Sequence, residues 1–237
     1  MKDYLEKEGM ILIENRNNIL ERPDFPELIN TVNPYLLSYS AFAPASTIVR
    51  HLIDGYILLN EAICLDNLLK NLAIFINQKF YSGWKSGIKG IDLEFDRDSI
   101  RYIVSIKSGP NWGNSSQIEK MINNFDTAKK TLRTGNSHLN IICINGCCYG
   151  KDNNPDKGSY YKYCGQAFWE FIGGNENIYT DIIEPLGHKA KERNDDYMVK
   201  YSQMVNKFTK EFIELFCDNN GNIDWNKLVK FNSEKKL

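Results

Sequence analysis

From Ser46 to about Phe80, apolar residues recur at steps of three and four: Ile48, Leu52, Tyr56, Leu59, Ile63, Leu68, Leu72, Phe75 and Ile76. That spacing predicts long amphipathic helix, either continuous or broken once near Gly55, so that one or two helices precede the sheet. The period then drops to two. Phe80–Trp84 reads as a first strand, after which Ile91, Leu93 and Phe95 alternate with Asp92 and Glu94. Beyond the turn-like Asp96-Arg97-Asp98-Ser99, Tyr102, Val104 and Ile106 alternate with Ile103, Ser105 and Lys107, which predicts a hairpin with one apolar face and one working face. Gly109-Pro110-Asn111-Trp112-Gly113 interrupts regular structure, and Asn114 with Gln117 three residues on signals a helix start. This helix buries Ile118, Met121, Ile122, Phe125 and Leu132, ends near Thr134-Gly135, and leads to an apolar strand over residues 138–144. The predicted core is therefore helix, three strands, helix, strand: an α/β fold with added helices.

The flanks are less regular. Residues 1–35 carry three prolines after a short helical pattern and read as an N-terminal arm. The polar segment from Cys147 to Gly165 reads as irregular, and an aromatic helix starts at Gln166. Further helices are expected over Ile178–Lys191 and Asp195–Cys217, with a small element around Ile223-Asp224-Trp225. With no internal repeat and no convincing linker, the chain reads as one domain over 1–237, with an arm (about 1–35) and a C-terminal helical extension (about 195–237).

Composition adds mainly exclusions. A chain of 237 residues, 42% hydrophobic and 25% charged, is neither fibrous nor disordered. The longest apolar run is broken by Asp54, Asn60, Glu61, Asp66, Asn67 and Lys70, so it cannot span a bilayer, and MKDYLEKEG lacks the apolar core of a signal peptide. The expectation is a cytoplasmic protein whose six cysteines are reduced. Net charge of -1 argues against a general polyanion binder. The charge is uneven, however: residues 1–78 hold 6 Lys+Arg against 10 Asp+Glu, and residues 79–133 hold 10 against 6. The basic third contains the hairpin, a balance compatible with a protein that grips DNA in one cleft only.

Pairing across the hairpin allows Asp92 to share a face with Lys107, and a carboxylate beside an ammonium at a strand end suits a phosphate and its metal. Asp92 on one strand with Ser105-Ile106-Lys107 on the next resembles the PD-(D/E)XK nuclease superfamily, which implies a restriction-endonuclease-like core on a mixed central sheet. The strings SIKSGPNWGNSSQ and YCGQAFWEFIGGNENIYTDIIEPLGHKAKERN look like type II restriction endonucleases, in particular those that cut interrupted GG/CC-type palindromes. The resemblance covers roughly residues 35–200. Two departures stand out: Ile91 where the family name has proline, and Ser105 where it has the second acid. The resemblance implies an acid recruited from the following helix, and Glu119, twelve residues after Lys107, fits that place. Glu94 competes because it shares the face of Asp92, although an ion pair with Arg101 is an equally ordinary use for it. Glu61 resembles an acid that relatives place near the metal; otherwise it is a solvated helix residue. Mg²⁺ would then be anchored by Asp92, Glu119 and the backbone carbonyl of Ile106, with Lys107 holding the attacking water.

Base readout must come from elsewhere. Lys151, Asp152, Lys157, Tyr160, Tyr161 and Lys162 are the residue types that meet bases and phosphates, and also those of any polar loop. Asn111 and Trp112 either brace the loop after Lys107 or touch the DNA backbone, bracing being the first choice. Reading a palindrome implies a homodimer, for which Met198, Tyr201, Val205, Phe208, Phe212 and Leu215 offer an apolar stripe, although core packing is its commoner use. A cognate DNA methyltransferase is expected in the same system without direct contact. Cys143, Cys147, Cys148 and Cys164, with His138, invite a zinc reading that their spacing does not favour. Pro23-Asp24 and Glu234-Lys235-Lys236 belong to no sheet pattern. The expected function is Mg²⁺-dependent cleavage of double-stranded DNA at a palindrome of the GGNCC type. The alternatives are a repair or junction nuclease on the same core, and a DNA-binding protein with a decayed site.

Overall fold

Ala45–Tyr81 is one unbroken helix. Of the two alternatives the continuous helix is the one formed, because a helical glycine costs only about 1 kcal/mol and Leu52, Ile53 and Ile57, within one turn of Gly55, are buried. The computed structural model describes residues 1–39, 44–135, 137–187 and 194–235. Its helices are α1 (Lys2–Ile19), α2 (Phe25–Asn30), α3 (Pro34–Tyr39), α4 (Ala45–Tyr81), α5 (Ser115–Gly135), α6 (Gln166–Gly173), α7 (Ile178–Asp181), α8 (Ile183–Gly187), α9 (Asn194–Phe216) and α10 (Trp225–Ser233). The strands are β1 (Trp84–Lys85), β2 (Leu93–Arg97), β3 (Ile100–Lys107), β4 (Asn140–Cys147) and β5 (Tyr161–Cys164). The chain divides into two compact units: Met1–Gly9 with Leu65–Gly187, and Met10–Cys64 with the described part of His188–Leu237. Among the described residues no helix is long and apolar enough to cross a membrane.

The first unit holds a five-stranded sheet in the order β1-β2-β3-β4-β5. β1, β2 and β3 are antiparallel, whereas β4 runs parallel to β3 and β5 parallel to β4. The predicted succession of helix, three strands, helix and strand is present, with three corrections. The stretch 80–84 is not a strand: the helix continues to Tyr81, Ser82 takes a positive φ, and the first strand is the short exposed pair Trp84–Lys85. The hairpin turn is tighter than four residues. Asp98 and Ser99 both have positive φ (54° and 60°), the two-residue geometry that matches strand twist, so β2 reaches Arg97 and β3 begins at Ile100. Third, the segment after Gly146 is not wholly irregular, since Tyr161–Cys164 pairs with Ile144–Cys147.

Leu93 pairs with Val104 and Glu94 with Ile103, so Ile103, Ser105 and Lys107 lie on one face of β3. Ile103 and Ser105 on that face are buried, so the sheet has no open working face; only its end at Lys107 is available. Ile91, Ile103, Ile141 and Cys143 pack here with Met121, Phe125 and Ala128 of α5. Phe95 and Tyr102 meet Tyr81 and Phe171 in an aromatic stack over the other face. Close by, Gly146 lets Phe168 of α6 cross the sheet: a Cβ there would fall 2.1 Å from the Phe168 ring. Since both partners sit in packed core, Gly146→Ala is expected to cost about 1–3 kcal/mol, read as a lower urea midpoint; a change within about 0.5 kcal/mol would disprove this packing.

The second unit is helical. Phe25, Leu28 and Ile29 of α2 and Val49, Leu52 and Ile53 of α4 form a core with Val205, Phe208, Phe212 and Phe216 of α9 and Leu228 of α10. The C-terminal apolar stripe is thus spent on the core, with Tyr201 and Leu215 packed at its margin and Met198 left exposed. Pro23-Asp24 also finds its use here: the Asp24 carboxylate accepts the Glu27 N–H at 2.7 Å and caps α2. The small C-terminal element is the helix α10, capped by Asp224.

Candidate active site

The β2–β3 ladder stops at Leu93 and Val104, which leaves the Ile106 N–H facing outward without a strand partner. Asp92 takes that place. Its own N–H donates to the Val104 carbonyl at 2.8 Å, and its Oδ2 accepts the Ile106 N–H at 2.7 Å, so both main chain and carboxylate are fixed to β3. The other oxygen, Oδ1, lies 3.0 Å from Nζ of Lys70 on α4. At the end of β3 opens a cleft of about 340 Å³ lined by Asp66, Asn67 and Lys70 of α4, by Ile106, Lys107 and Ser108, and by Trp112 and Gln117.

Lys107 Nζ stands 4.6 Å above the Trp112 ring, an attractive position for a cation. Burial lowers its pKa, the charge of Asp92 opposes that change, and the charge of Lys70 adds to it. Asp92, bonded to the Ile106 N–H, and Lys107, the next residue of β3, thus stand at the same strand end. Trp112 is held in turn: its Nε1 donates to Oδ1 of the buried Asn145 at 3.1 Å, and Asn145 Nδ2 donates to the Ser105 carbonyl at 3.3 Å. Trp112 thus braces Lys107, the first of the two roles expected for it, whereas Asn111 is exposed on the rim of a neighbouring recess of about 410 Å³ that also includes Asp66, Tyr149 and Gly150. Ser105 contributes its carbonyl to this brace and its side chain is buried.

The other predicted acids lie elsewhere. Glu119 is on the exposed surface of α5. Two residues of helix turn it about 200° from Gln117, which is the α5 residue that lines the cleft. Asn114 and Gln117 bond reciprocally, each side chain accepting the other's N–H at 3.0 Å, so the predicted helix start is a capping box. Glu94 is buried, accepts the Ser86 hydroxyl at 2.7 Å and pairs with Arg101 at 3.4 Å, the ion pair weighed against metal binding. Glu61 belongs to the other unit, where it meets Arg16 at 2.6 Å.

In the segment 151–162, Asp152 gathers two of the lysines, Lys157 at 3.0 Å and Lys162 at 3.5 Å. Burial alone would raise the Asp152 pKa, but hydrogen bonds from Lys157 and the Asn154 N–H, with the charges of Lys157 and Lys162, bring it below the usual value. Lys162 also donates to the Pro110 carbonyl at 2.9 Å, tying this segment to the loop that carries Trp112. Tyr160 packs toward Phe125, while Lys151 and Tyr161 are exposed. Cys143, Cys147, Cys148 and Cys164 are buried free thiols. Burial, and secondarily the charge of Asp66, pushes Cys148 up to about 12. Among the described residues no three His, Cys, Asp or Glu side chains converge as a metal cluster, so the zinc reading gains no support.

Sequence reasoning missed Asp66, Asn67, Lys70 and Asn145. In the sequence the first three interrupt an apolar run, and their spacing of i, i+1 and i+4 puts them on one side of the helix. An asparagine inside the apolar strand NIICINGC was the available signal for the fourth.

A mixed sheet presenting an aspartate and a lysine from adjacent strands beside a helix face defines a nuclease-type core. The family described as type II restriction endonuclease EcoO109I matches residues 1–194, and the chain belongs to that family. It is accordingly a site-specific deoxyribonuclease that binds and hydrolyses double-stranded DNA. A comparison with curated proteins found no match.

Proposed function

We propose that the chain acts as a homodimeric, Mg²⁺-dependent type II restriction endonuclease cutting an interrupted palindrome of the GGNCC type, with Asp92 and Lys107 at the reacting phosphate. The observation that carries this reading is the joint placement of the two side chains at one strand end, one fixed by the Ile106 N–H and the other by Trp112. The cleft offers hard oxygen donors in the Asp66 carboxylate and the Asn67 amide of its wall, with the Asp92 carboxylate beside them on Lys70, whereas the Gln117 oxygen is taken by the Asn114 N–H. Mg²⁺ is commonly held by one or two carboxylates, with water and substrate phosphate completing its shell, so this donor set fits it. We assign the second carboxylate to Asp66 because Glu119, Glu94 and Glu61 are exposed or engaged elsewhere. When bound, the metal would supply Lewis-acid screening of the phosphate and acidify a water. Lys107 would orient the attacking water and offset negative charge developing on the phosphate oxygens. The loop around Asn111 and the segment Lys151–Lys162 would meet the DNA.

The palindromic site rests on the resemblance of the sequence, and twofold reading of it requires two subunits. Leu58, Leu59 and Ile63 on α4, each more than half exposed, offer apolar surface for that pairing. A cytoplasmic setting and a cognate methyltransferase acting on the same sequence complete the reading. The test is incubation with mixed plasmid and phage DNA, with Mg²⁺ and with EDTA, followed by sequencing of the ends. Discrete Mg²⁺-dependent fragments sharing one palindrome are expected. Structure-selective nicking would overturn the proposal in favour of a repair nuclease.

A further inference from the structure

A cleft built to receive a divalent cation already contains two cations. Lys70 and Lys107 line it, and against them stand Asp66 in its wall and Asp92 bonded to Lys70, so two ammoniums balance two carboxylates. Each oxygen of the Asp92 carboxylate already has one partner: Oδ2 accepts the Ile106 N–H at 2.7 Å, and Oδ1, which no main-chain group is shown to engage, is held by Lys70 at 3.0 Å.

We propose that Lys70 is the resident counter-cation of Asp92, competing with the divalent metal for Oδ1 and releasing it when a DNA phosphate enters the cleft. This rests on the metal-dependent reading above. A dication entering the balanced cleft would leave it with two positive charges in excess, and a phosphodiester both reduces that excess and offers Lys70 a new partner. The lysine has room to move. Its side chain is 37% exposed and its four-carbon stem is flexible, and Asp66 lies one helical turn back on the same face of α4. Metal affinity is therefore coupled to DNA occupancy through one side chain, and DNA-free protein binds metal at Asp92 more weakly than it would without Lys70.

The experiment is a titration of DNA-free protein with Mn²⁺, read by isothermal calorimetry or by the loss of free-ion paramagnetic resonance signal. Lys70→Met should bind Mn²⁺ about twofold to fivefold more tightly than wild type, the scale expected for removing one partly exposed ion pair. Lys70→Arg, which keeps the charge at the carboxylate, should remain at the wild-type affinity, and adding Asp92→Asn to Lys70→Met should abolish the gain. Equal Mn²⁺ affinities for wild type and Lys70→Met, in a protein that cuts DNA with Mg²⁺, overturn the inference alone. Absence of Mg²⁺-dependent cleavage by wild type overturns the reading beneath it as well.

Discussion

Lys107→Met is expected to lower the rate of DNA cleavage by about three orders of magnitude, the range for losing a group that both positions the nucleophile and stabilises transition-state charge. DNA affinity should change little, because one phosphate contact among many is lost. The size of the effect follows from the surroundings of the ammonium. Lys107 is partly buried at the end of β3 and steadied by the Trp112 ring, so its charge acts where water screens it weakly. Methionine keeps the length and the contact with the indole, which separates loss of charge from loss of packing. Lys107→Arg should fail almost as badly, since a guanidinium can stack on the indole but spreads its charge over a rigid planar fork and cannot place a compact ammonium at the same point. Single-turnover cleavage with saturating enzyme, together with gel-shift affinity in EDTA, distinguishes chemistry from binding. Cutting by Lys107→Met within about tenfold of wild type would remove Lys107 from the catalytic position.

The hairpin was legible because period two is a strong signal when polar and apolar residues truly alternate, and Asp92 and Lys107 followed from it. What was hidden depended on three-dimensional neighbours. Glu119 and Gln117 are two residues apart on one helix, and no periodic argument says which faces the cleft until Met121, Phe125 and Ala128 fix the buried side of α5. Lys70 and Asp66 reach the site only because α4 runs past the end of β3, a placement that hydrophobic spacing along α4 cannot reveal. β5 is only four residues long and follows a run of Asn, Asp, Pro and Gly, so its aromatic alternation was read as part of the loop. The brace through Asn145 was missed for a different reason: a buried amide is informative only once its two partners, Trp112 and the Ser105 carbonyl, are known.

Asp92→Asn should be as damaging as loss of Lys107, about three orders of magnitude in cleavage rate, and its comparison with two other acids decides how the second carboxylate is supplied. The amide oxygen of asparagine can still accept the Ile106 N–H, so the strand end should survive and unfolding by urea should shift by no more than about 1 kcal/mol. What disappears is the negative charge that faces Lys70 and would face a metal. Asp66→Asn removes the other carboxylate of the cleft and should cost about a hundredfold, partly recoverable at high Mg²⁺ if its contribution is to ion affinity. Glu119→Gln, on the exposed surface of α5, should leave cleavage within about twofold of wild type, as surface substitutions generally do. The reverse order, an inactive Glu119→Gln beside a fully active Asp66→Asn, would mean that the N-terminal part of α5 turns toward the phosphate when DNA is bound. Gln117, which now caps that helix, would then have to surrender its bond to Asn114, so Gln117→Ala should rescue none of the loss and should lower stability in the DNA-free protein.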